Sequence, residues 1–307
     1  MNNNLIKVLS RLALLTTAIV WGSSLAVVSL IKDAFQPNMV LVIRFSVASI
    51  LLAVFFVKRF KYYDLSYLIN GTIIGVFLFL AYSSQTIGVT TEGGAPGRSG
   101  FISASYCVIV PFLAWLILKE RPDIYNISAA TLCILGLFFV FYKDLVDSAS
   151  ASLSSGDIYA LLSGVLFALH IVAIAKFGKN KDPILITITQ FVVAAIISLA
   201  VTLLLEDNSK MSLSRGSIFS IAYLAVMCTA VALLFQTIGQ KYTPSSTAAI
   251  ILGMESIFSI IFAVILTGEK ITLFSLIGFF FIFIAIIVSE TKLAFLCRKK
   301  RDDTPTQ

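Results

Sequence analysis

The chain has 307 residues, 58% of them hydrophobic and only 13% charged, with a mean hydropathy of +0.97. A soluble domain has no interior large enough to hide that much apolar surface, so the composition excludes a water-soluble globular protein and predicts an integral membrane protein. A formal net charge of +7 would suggest nucleic acid as the partner of a soluble chain; here membrane topology accounts for it.

Apolar runs of about 18 to 25 residues, long enough to cross a hydrocarbon core of about 30 Å, are separated by charged or Gly/Pro-rich breaks. Ten are predicted. The first, 11–31, carries Trp21-Gly22-Ser23-Ser24. It is too long for a cleavable leader and no A-x-A-like site follows it, so it reads as an uncleaved first span. The second, 38–57, holds Arg44-Phe45. The third, 66–87, ends near Gln85-Thr86-Ile87-Gly88 and places Tyr82 and Gln85, three apart, on one face. The fourth, 99–118, opens on small residues (Gly97, Gly100, Ser103), which permit close helix packing, continues through Tyr106 and Pro111, and gives way to Lys119-Glu120. The fifth is 124–142. The sixth, 156–177, sets Ser163, Phe167 and His170 in an i, i+4, i+7 stripe. The seventh, 183–205, contains Gln190-Phe191, and the eighth, 216–238, runs into Gln236-Thr237-Ile238-Gly239. The ninth, 245–267, encloses Glu255 and is followed by Glu269-Lys270. The tenth, 272–294, leads to the basic tail Arg298-Lys299-Lys300-Arg301.

The connecting loops are short and leave no room for a soluble domain. With the N-terminus inside, sixteen of the 23 lysines and arginines fall in inside segments and six in outside segments, with Arg44 inside a span. The excess places both termini in the cytoplasm. The basic tail reads as a positive-inside anchor on anionic lipid, with a nucleic-acid or partner patch as the weaker alternative.

The two halves repeat. Gln85-Thr86-Ile87-Gly88 recurs as Gln236-Thr237-Ile238-Gly239, and Arg44-Phe45 matches Gln190-Phe191 at an offset of 146. Each half carries five spans. Five is odd, so the second half enters from the opposite side, which predicts two inverted repeats related by an axis in the membrane plane. Arg44 and Gln190 accordingly fall at mirrored depths, as do Gln85 and Gln236. Two similar halves facing opposite ways can pack in two nearly equal arrangements, each open to one side. The expected fold is therefore all-α and polytopic, enclosing a shared polar chamber.

Trp21-Gly22-Ser23-Ser24, Arg44-Phe45, Gln85-Thr86-Ile87-Gly88, the stretch from Ala95 to Pro122, Glu255 and Thr267-Gly268-Glu269 together resemble the EamA-type members of the drug/metabolite transporter superfamily. The resemblance spans roughly residues 10 to 292. It implies a first EamA-like repeat over 1–147, a second over 148–294 and a cytoplasmic tail over 295–307. It also implies a cavity lined by both halves and transport, often export, of amino acids or related metabolites. Many relatives carry a proline just after the glutamate matching Glu255. Here Ser256 stands there, which predicts a straighter ninth helix and leaves Pro111 as the residue able to bend the fourth.

Three titratable residues lie within spans, where insertion of a charge costs about 2.5–3.5 kcal/mol or more. Arg44, roughly 9 Å below the outer surface at 1.5 Å per residue, could clamp a substrate carboxylate through two parallel hydrogen bonds, or snorkel to the interface. Glu255 suits proton coupling, substrate-amine binding, or a structural hydrogen bond or ion pair between helices. His170, whose repeat partner is Ser24, reads as an interhelical hydrogen bond or a pore-lining group. Trp21 (repeat partner Phe167), Ser24, Tyr82, Gln85, Tyr106, Gln190 and Gln236 complete the candidate substrate-binding set, since aromatic walls with a few amides suit a zwitterionic or moderately apolar solute. The four cysteines (Cys107, Cys133, Cys228, Cys297) show no ligand spacing and read as small buried hydrophobes.

No phosphate-binding loop, catalytic signature or selectivity filter is present, so no ATPase, channel, metal site or cofactor is expected. The reading is a secondary transporter working as a monomer or weak homodimer in the inner (plasma) membrane, with a small metabolite and the lipid bilayer as partners and no nucleic acid. The alternatives are an intramembrane enzyme on a lipid-linked substrate, for which paired catalytic groups are lacking, and an inert scaffold, for which the duplication is superfluous.

Overall fold

The computed structural model describes residues 3–91, 94–147, 154–209, 211–269 and 272–291. Among them every regular element is helical. α1 (Asn3–Leu30), α2 (Pro37–Phe55) and a 3₁₀ turn (Val57–Tyr62) precede α3 (Leu65–Thr90), α4 (Pro96–Ser103), α5 (Tyr106–Leu118) and α6 (Ile124–Asp147). The second half repeats the series as α7 (Ser155–Phe177), α8 (Pro183–Leu205), α9 (Arg215–Ala225), a π-turn (Val226–Val231), α10 (Ala232–Lys241), α11 (Ser245–Gly253), α12 (Glu255–Thr267) and α13 (Leu273–Thr291). Helices are what an apolar solvent demands, because each closes its own backbone hydrogen bonds. Polar caps mark where they start. Asp64 accepts from the backbone N–H groups of Ser66 and Tyr67 at 2.8 and 3.2 Å, Asp182 accepts from Ile184 N–H at 2.9 Å, and Ser154 with Asp157 forms a capping box.

Equivalent helices of the two halves run in opposite directions. At one end of the α2–α8 pair, Asn38 donates through its backbone and side-chain N–H groups to the Glu206 carboxylate, both at 2.8 Å. At the other, Arg59 Nη1 meets Asp182 Oδ2 at 2.7 Å. The start of α2 therefore lies beside the end of α8, and the end of α2 beside its start, as inverted repeats require. The helix contacts follow the same exchange: α1 packs on α10 and α12 as α7 packs on α3 and α5, while α2 pairs with α8 and α6 with α13. Close approach needs small residues. A Cβ on Gly22 of α1 would lie 2.3 Å from Phe258 Cβ of α12 and 2.9 Å from Ser259 N.

Eight spans have the length and hydropathy to cross a membrane: Leu5–Leu30, Pro37–Phe55, Leu65–Thr90, Pro96–Leu118, Ser155–Phe177, Pro183–Leu205, Arg215–Lys241 and Ser245–Thr267. The expected fifth and tenth spans fall on α6 and α13, where the apolar runs are the shorter Ile124–Gly136 and Leu276–Ala285. The structure thus supports eight spans directly. Residues 295–307, the expected basic tail, lie outside the described residues, as does Cys297.

Two expectations about helix shape are corrected. The ninth span is not continuous: it is interrupted at Met254, between α11 and α12. The absent proline is compensated by Ser256, whose hydroxyl donates to the Gly253 carbonyl at 2.8 Å, while Ile257 N–H bonds Met254 O in a tight i to i+3 turn at 3.0 Å. The fourth span is interrupted as well, at Ala104–Ser105, with Pro111 lying inside α5 well past the break. Both interrupted spans end on a left-handed residue, Lys119 (φ 62°) and Gly268 (φ 70°), which confirms their equivalence at an offset of 149.

Candidate functional site

An aromatic cluster occupies the middle of the bundle and draws on both halves. Phe167 of α7 is its hub. Its ring lies 5.3 Å from Tyr82, 6.2 Å from Trp21 and 6.2 Å from Tyr106, centroid to centroid. Phe45 packs edge-on to Tyr82 at 5.5 Å and against Phe191 at 5.9 Å. Trp21 with Phe167, and Phe45 with Phe191, are repeat equivalents at an offset of 146. Their mutual contact puts the pseudo-twofold axis through this cluster.

Arg44 is held inside, only 1% exposed, and does not snorkel. Its Nε donates to Thr229 Oγ1 at 2.9 Å, and its guanidinium carbon lies 5.0 Å from the centroid of the Tyr82 ring. Thr229 sits in the π-turn and donates to Leu224 O at 2.8 Å. The same turn frees the Cys228 carbonyl, which accepts the Trp21 indole N–H at 3.0 Å. The turn exists because one residue is added there: the helix caps Asp64 and Ser214 are 150 apart, whereas Gln85 and Gln236 are 151 apart. An i to i+5 turn absorbs a single inserted residue without rotating the helix beyond it.

Glu255 is the first residue of α12, and its repeat equivalent is Tyr106, the first residue of α5. The two face each other. The Glu255 carboxyl interacts with Gln85 and with Tyr106, whose hydroxyl stops short of hydrogen-bond geometry. Tyr82 is within electrostatic reach of both Arg44 and Glu255.

His170 and Gln190 form a separate pair: His170 Nε2 and Gln190 Oε1 are 2.9 Å apart, both residues fully buried. Ser24 lies on the Cys228 side of the cluster. Gln236 is fully buried with both side-chain polar atoms unpaired. The same holds for Arg44 Nη2, Tyr106 Oη, His170 Nδ1 and Gln190 Nε2. Leaving a buried polar atom unpaired costs about 1–3 kcal/mol, so each of these atoms needs an explanation beyond packing.

The ten singled-out residues are each at most 6% exposed. All are closely packed: Trp21, Ser24, Arg44, Tyr82, Gln85, Tyr106 and Glu255 gather about the aromatic rings, and His170 and Gln190 form their own pair, where the sequence predicts a shared polar chamber. Thr229, Phe45 and Phe191 are members that sequence reasoning passed over; the one-residue change of repeat offset near 229 was the signal available. Cys107 and Cys133 are free, buried thiols with sulfurs 3.2 Å apart, and Cys228 is likewise free. No group of three or more potential metal-ligating side chains gathers among the described residues.

Access differs between the two ends of the bundle. At the end carrying Lys58–Lys61, Lys179–Lys181 and Lys241, a cavity of about 310 Å³ opens between α7, α8, α10 and α11. At the opposite end the Glu206 carboxylate binds Asn38, Met39 N–H (3.2 Å) and Thr202 Oγ1 (2.6 Å), Gly97 N–H donates to Glu269 Oε2 at 3.0 Å, and Arg98 pairs with Asp157 at 2.9 Å. The cavity beside that first seal is about 30 Å³.

The sequence profile described as the EamA-like transporter family matches the chain twice, over residues 9–142 and 154–291. An uncharacterized transporter of Archaeoglobus fulgidus is 29% identical over 284 residues, covering 92% of this chain and 86% of its own. A second from the same organism is 22% identical over 277 residues, covering 88% and 93%. An uncharacterized transporter of Haemophilus influenzae is 28% identical over 117 residues, 38% of this chain and 69% of its own. A solved crystal structure superposes with a TM-score of 0.71 at 15% identity, covering 96% of this chain and 99% of the other, which establishes a shared fold.

Proposed function

The chain belongs to the EamA-like transporter family and is a multi-pass membrane transporter, and from that premise we propose that it is a secondary transporter carrying a small zwitterionic solute, an amino acid or related metabolite, by alternating access. The observation that carries this reading is the buried Arg44 guanidinium with Nη2 unpaired, beside the Tyr82 ring, with the buried Glu255 carboxyl within electrostatic reach of the same tyrosine. A solute carboxylate would complete the guanidinium's hydrogen bonds, and its amine would sit toward Glu255 and Gln85. The aromatic rings supply apolar walls and exclude water. His170, Gln190 and Gln236 are also buried with free polar atoms, which in this reading serve the solute as the halves rock.

Two inverted halves meeting on an axis through Trp21–Phe167 and Phe45–Phe191 favour a rocking exchange about that axis. In the state described a cavity opens at the basic end without reaching the central residues, and polar contacts close the other end. The excess of lysine and arginine at the basic end supports a cytoplasmic side there; this reading has both termini on that side, ten spans in a plasma (inner) membrane and repeats over 1–147 and 148–294. Export is the direction in this reading, powered by the solute gradient or by protons through Glu255, in a monomer or weak homodimer.

Purified protein in liposomes tests this: labelled amino acids should exchange across the bilayer unchanged, with saturation. A chemically altered solute would instead indicate an enzyme, and saturable binding without flux a scaffold.

A further inference from the structure

The cavity at the basic end takes no part in the central cluster, and its lining has the features of a binding site in its own right. α11 begins there. Its first hydrogen bond within the helix is Ala248 N–H to Pro244 O at 2.9 Å, so the N–H groups of Ser245, Ser246 and Thr247 have no carbonyl one turn back to bond. Pro244 and Ser245 line the cavity, which places the positive end of the helix at its wall.

Two side chains give an independent sign of a ligand. Ser245 is 2% exposed and Gln240 5%, and both line the cavity. Ser245 Oγ and Gln240 Oε1 are each without a hydrogen-bond partner. Gln240 is fixed in orientation, since its Nε2 donates to Ile171 O at 3.1 Å. That leaves Oε1 as an acceptor lacking a donor. Lys179 and Lys241 add positive charge to the lining, and Glu120 adds one carboxylate. The volume of about 310 Å³ is at the low end for small-molecule sites.

We propose that this cavity is a second binding site, separate from the central cluster, for a small solute bearing a carboxylate with a hydrogen-bond donor on the neighbouring carbon, an amino or hydroxy acid. The carboxylate takes the Ser245 hydroxyl and the free N–H groups at the start of α11, with Lys179 and Lys241 offsetting its charge. The amine or hydroxyl donates to Gln240 Oε1. The site stands whether or not the central one binds; if both do, it is a loading stop on the path to Arg44.

The test is an NMR titration of protein labelled with ¹⁵N-serine in lipid nanodiscs, the Ser245 resonance being assigned by its loss in Ser245→Ala. The probes are acetate, glycine, lactate and chloride. Acetate, glycine and lactate should shift the Ser245 and Ser246 amides saturably. Glycine and lactate should bind about fivefold more tightly than acetate, as one further hydrogen bond provides, and Gln240→Met should abolish that difference. Arg44→Gln should leave every shift in place, which separates this site from the central one. Absence of saturable shifts with all three carboxylates, equal shifts with chloride, or loss of the shifts in Arg44→Gln would overturn the proposal. Should Gln240→Met not fold, Lys241→Ala, predicted to weaken all three carboxylates alike, replaces it.

Discussion

Arg44 reaches across from α2 to Thr229 in the π-turn, its Nε donating to the threonine oxygen at 2.9 Å while Nη2 stays unpaired. One hydrogen bond orients the guanidinium and leaves its outer edge for something else. No acidic side chain forms an ion pair with it among the described residues. A buried cation in that condition costs the fold stability, and in the proposed function a solute carboxylate offsets that cost.

Replacing Arg44 should therefore separate stability from function. Arg44→Met should leave the folded protein in the membrane, with thermal stability equal to or above that of the wild type, since it removes an unpaired buried charge. Flux should fall at least about tenfold, the equivalent of a lost charged hydrogen bond of about 1.5–3 kcal/mol. Arg44→Lys should rescue little, because an ammonium cannot both hold Thr229 and present a fork. Flux in liposomes and a thermal melt check both halves of this expectation, and wild-type flux in Arg44→Met would remove the residue from the site.

In the proposed cycle Glu255 exchanges a proton; it is held at the break between α11 and α12 with Gln85 and Tyr106 around it. In liposomes loaded with a pH-sensitive dye, wild-type solute movement should be accompanied by proton movement and respond to an imposed pH gradient. Glu255→Gln keeps the size and the hydrogen-bonding partners but has no proton to give. It should carry solute, if at all, with no proton flux and no response to the gradient. Equal proton movement in both proteins would exclude Glu255 as the coupling group.

The membrane class, the two repeats and the burial of all ten candidate side chains are consistent with what the sequence implied, because each follows from hydropathy, an odd number of spans, or the cost of charge in lipid. Arg44 and Gln190 each lie seven residues beyond the first residue of their helices, both of which begin with proline. The pairings were not legible. That Trp21 meets Phe167 and Phe45 meets Phe191 depends on which helix faces cross the axis, and periodicity on one helix does not give the rotation of two helices about each other. The break at Met254 was missed because a proline was taken as its cause, whereas the serine hydroxyl at 256 diverts a carbonyl instead. The close packing of the candidate residues was not legible because polarity in a span shows only that a polar group needs a partner, not which access state the bundle adopts.

The π-turn offers a sharper test than any side chain. It holds one residue more than the matching stretch of α3, and that residue frees the Cys228 carbonyl for Trp21 and lifts Thr229 to Arg44. Deleting Ala230 should let α9 and α10 fuse into one regular helix while Gln236 and Gln240 keep their facing. Helix content and membrane insertion should be unchanged. Flux should drop about tenfold or more, since both hydrogen bonds are lost with their geometry. Deletion of a residue from the middle of α8, which has no such turn to absorb it, should prevent correct folding. A fully active Ala230 deletion would show the π-turn to be incidental.

Two glycines distinguish packing from conformational freedom at the interrupted spans. At Gly22 an added methyl would stand 2.3 Å from Phe258 Cβ and 2.8 Å from the Phe258 carbonyl carbon, so the α1–α12 contact must open to admit it. Gly22→Ala should lower stability by about 1–3 kcal/mol. It should also slow transport, because α12 carries Glu255 and packs closely on α1. At Gly253, beside the Met254 break, the nearest atoms would be Cys107 Cβ at 3.5 Å and Sγ at 3.9 Å, which is ordinary contact. Gly253→Ala should be neutral or stabilising by up to about 1 kcal/mol from helix propensity. If the break must flex in each cycle, the same variant should slow flux while raising the melting temperature; if the break is a fixed device for presenting Glu255, flux should be unchanged. Melting temperature and initial flux measured side by side in the two variants decide between a hinge and a rigid corner at residue 254.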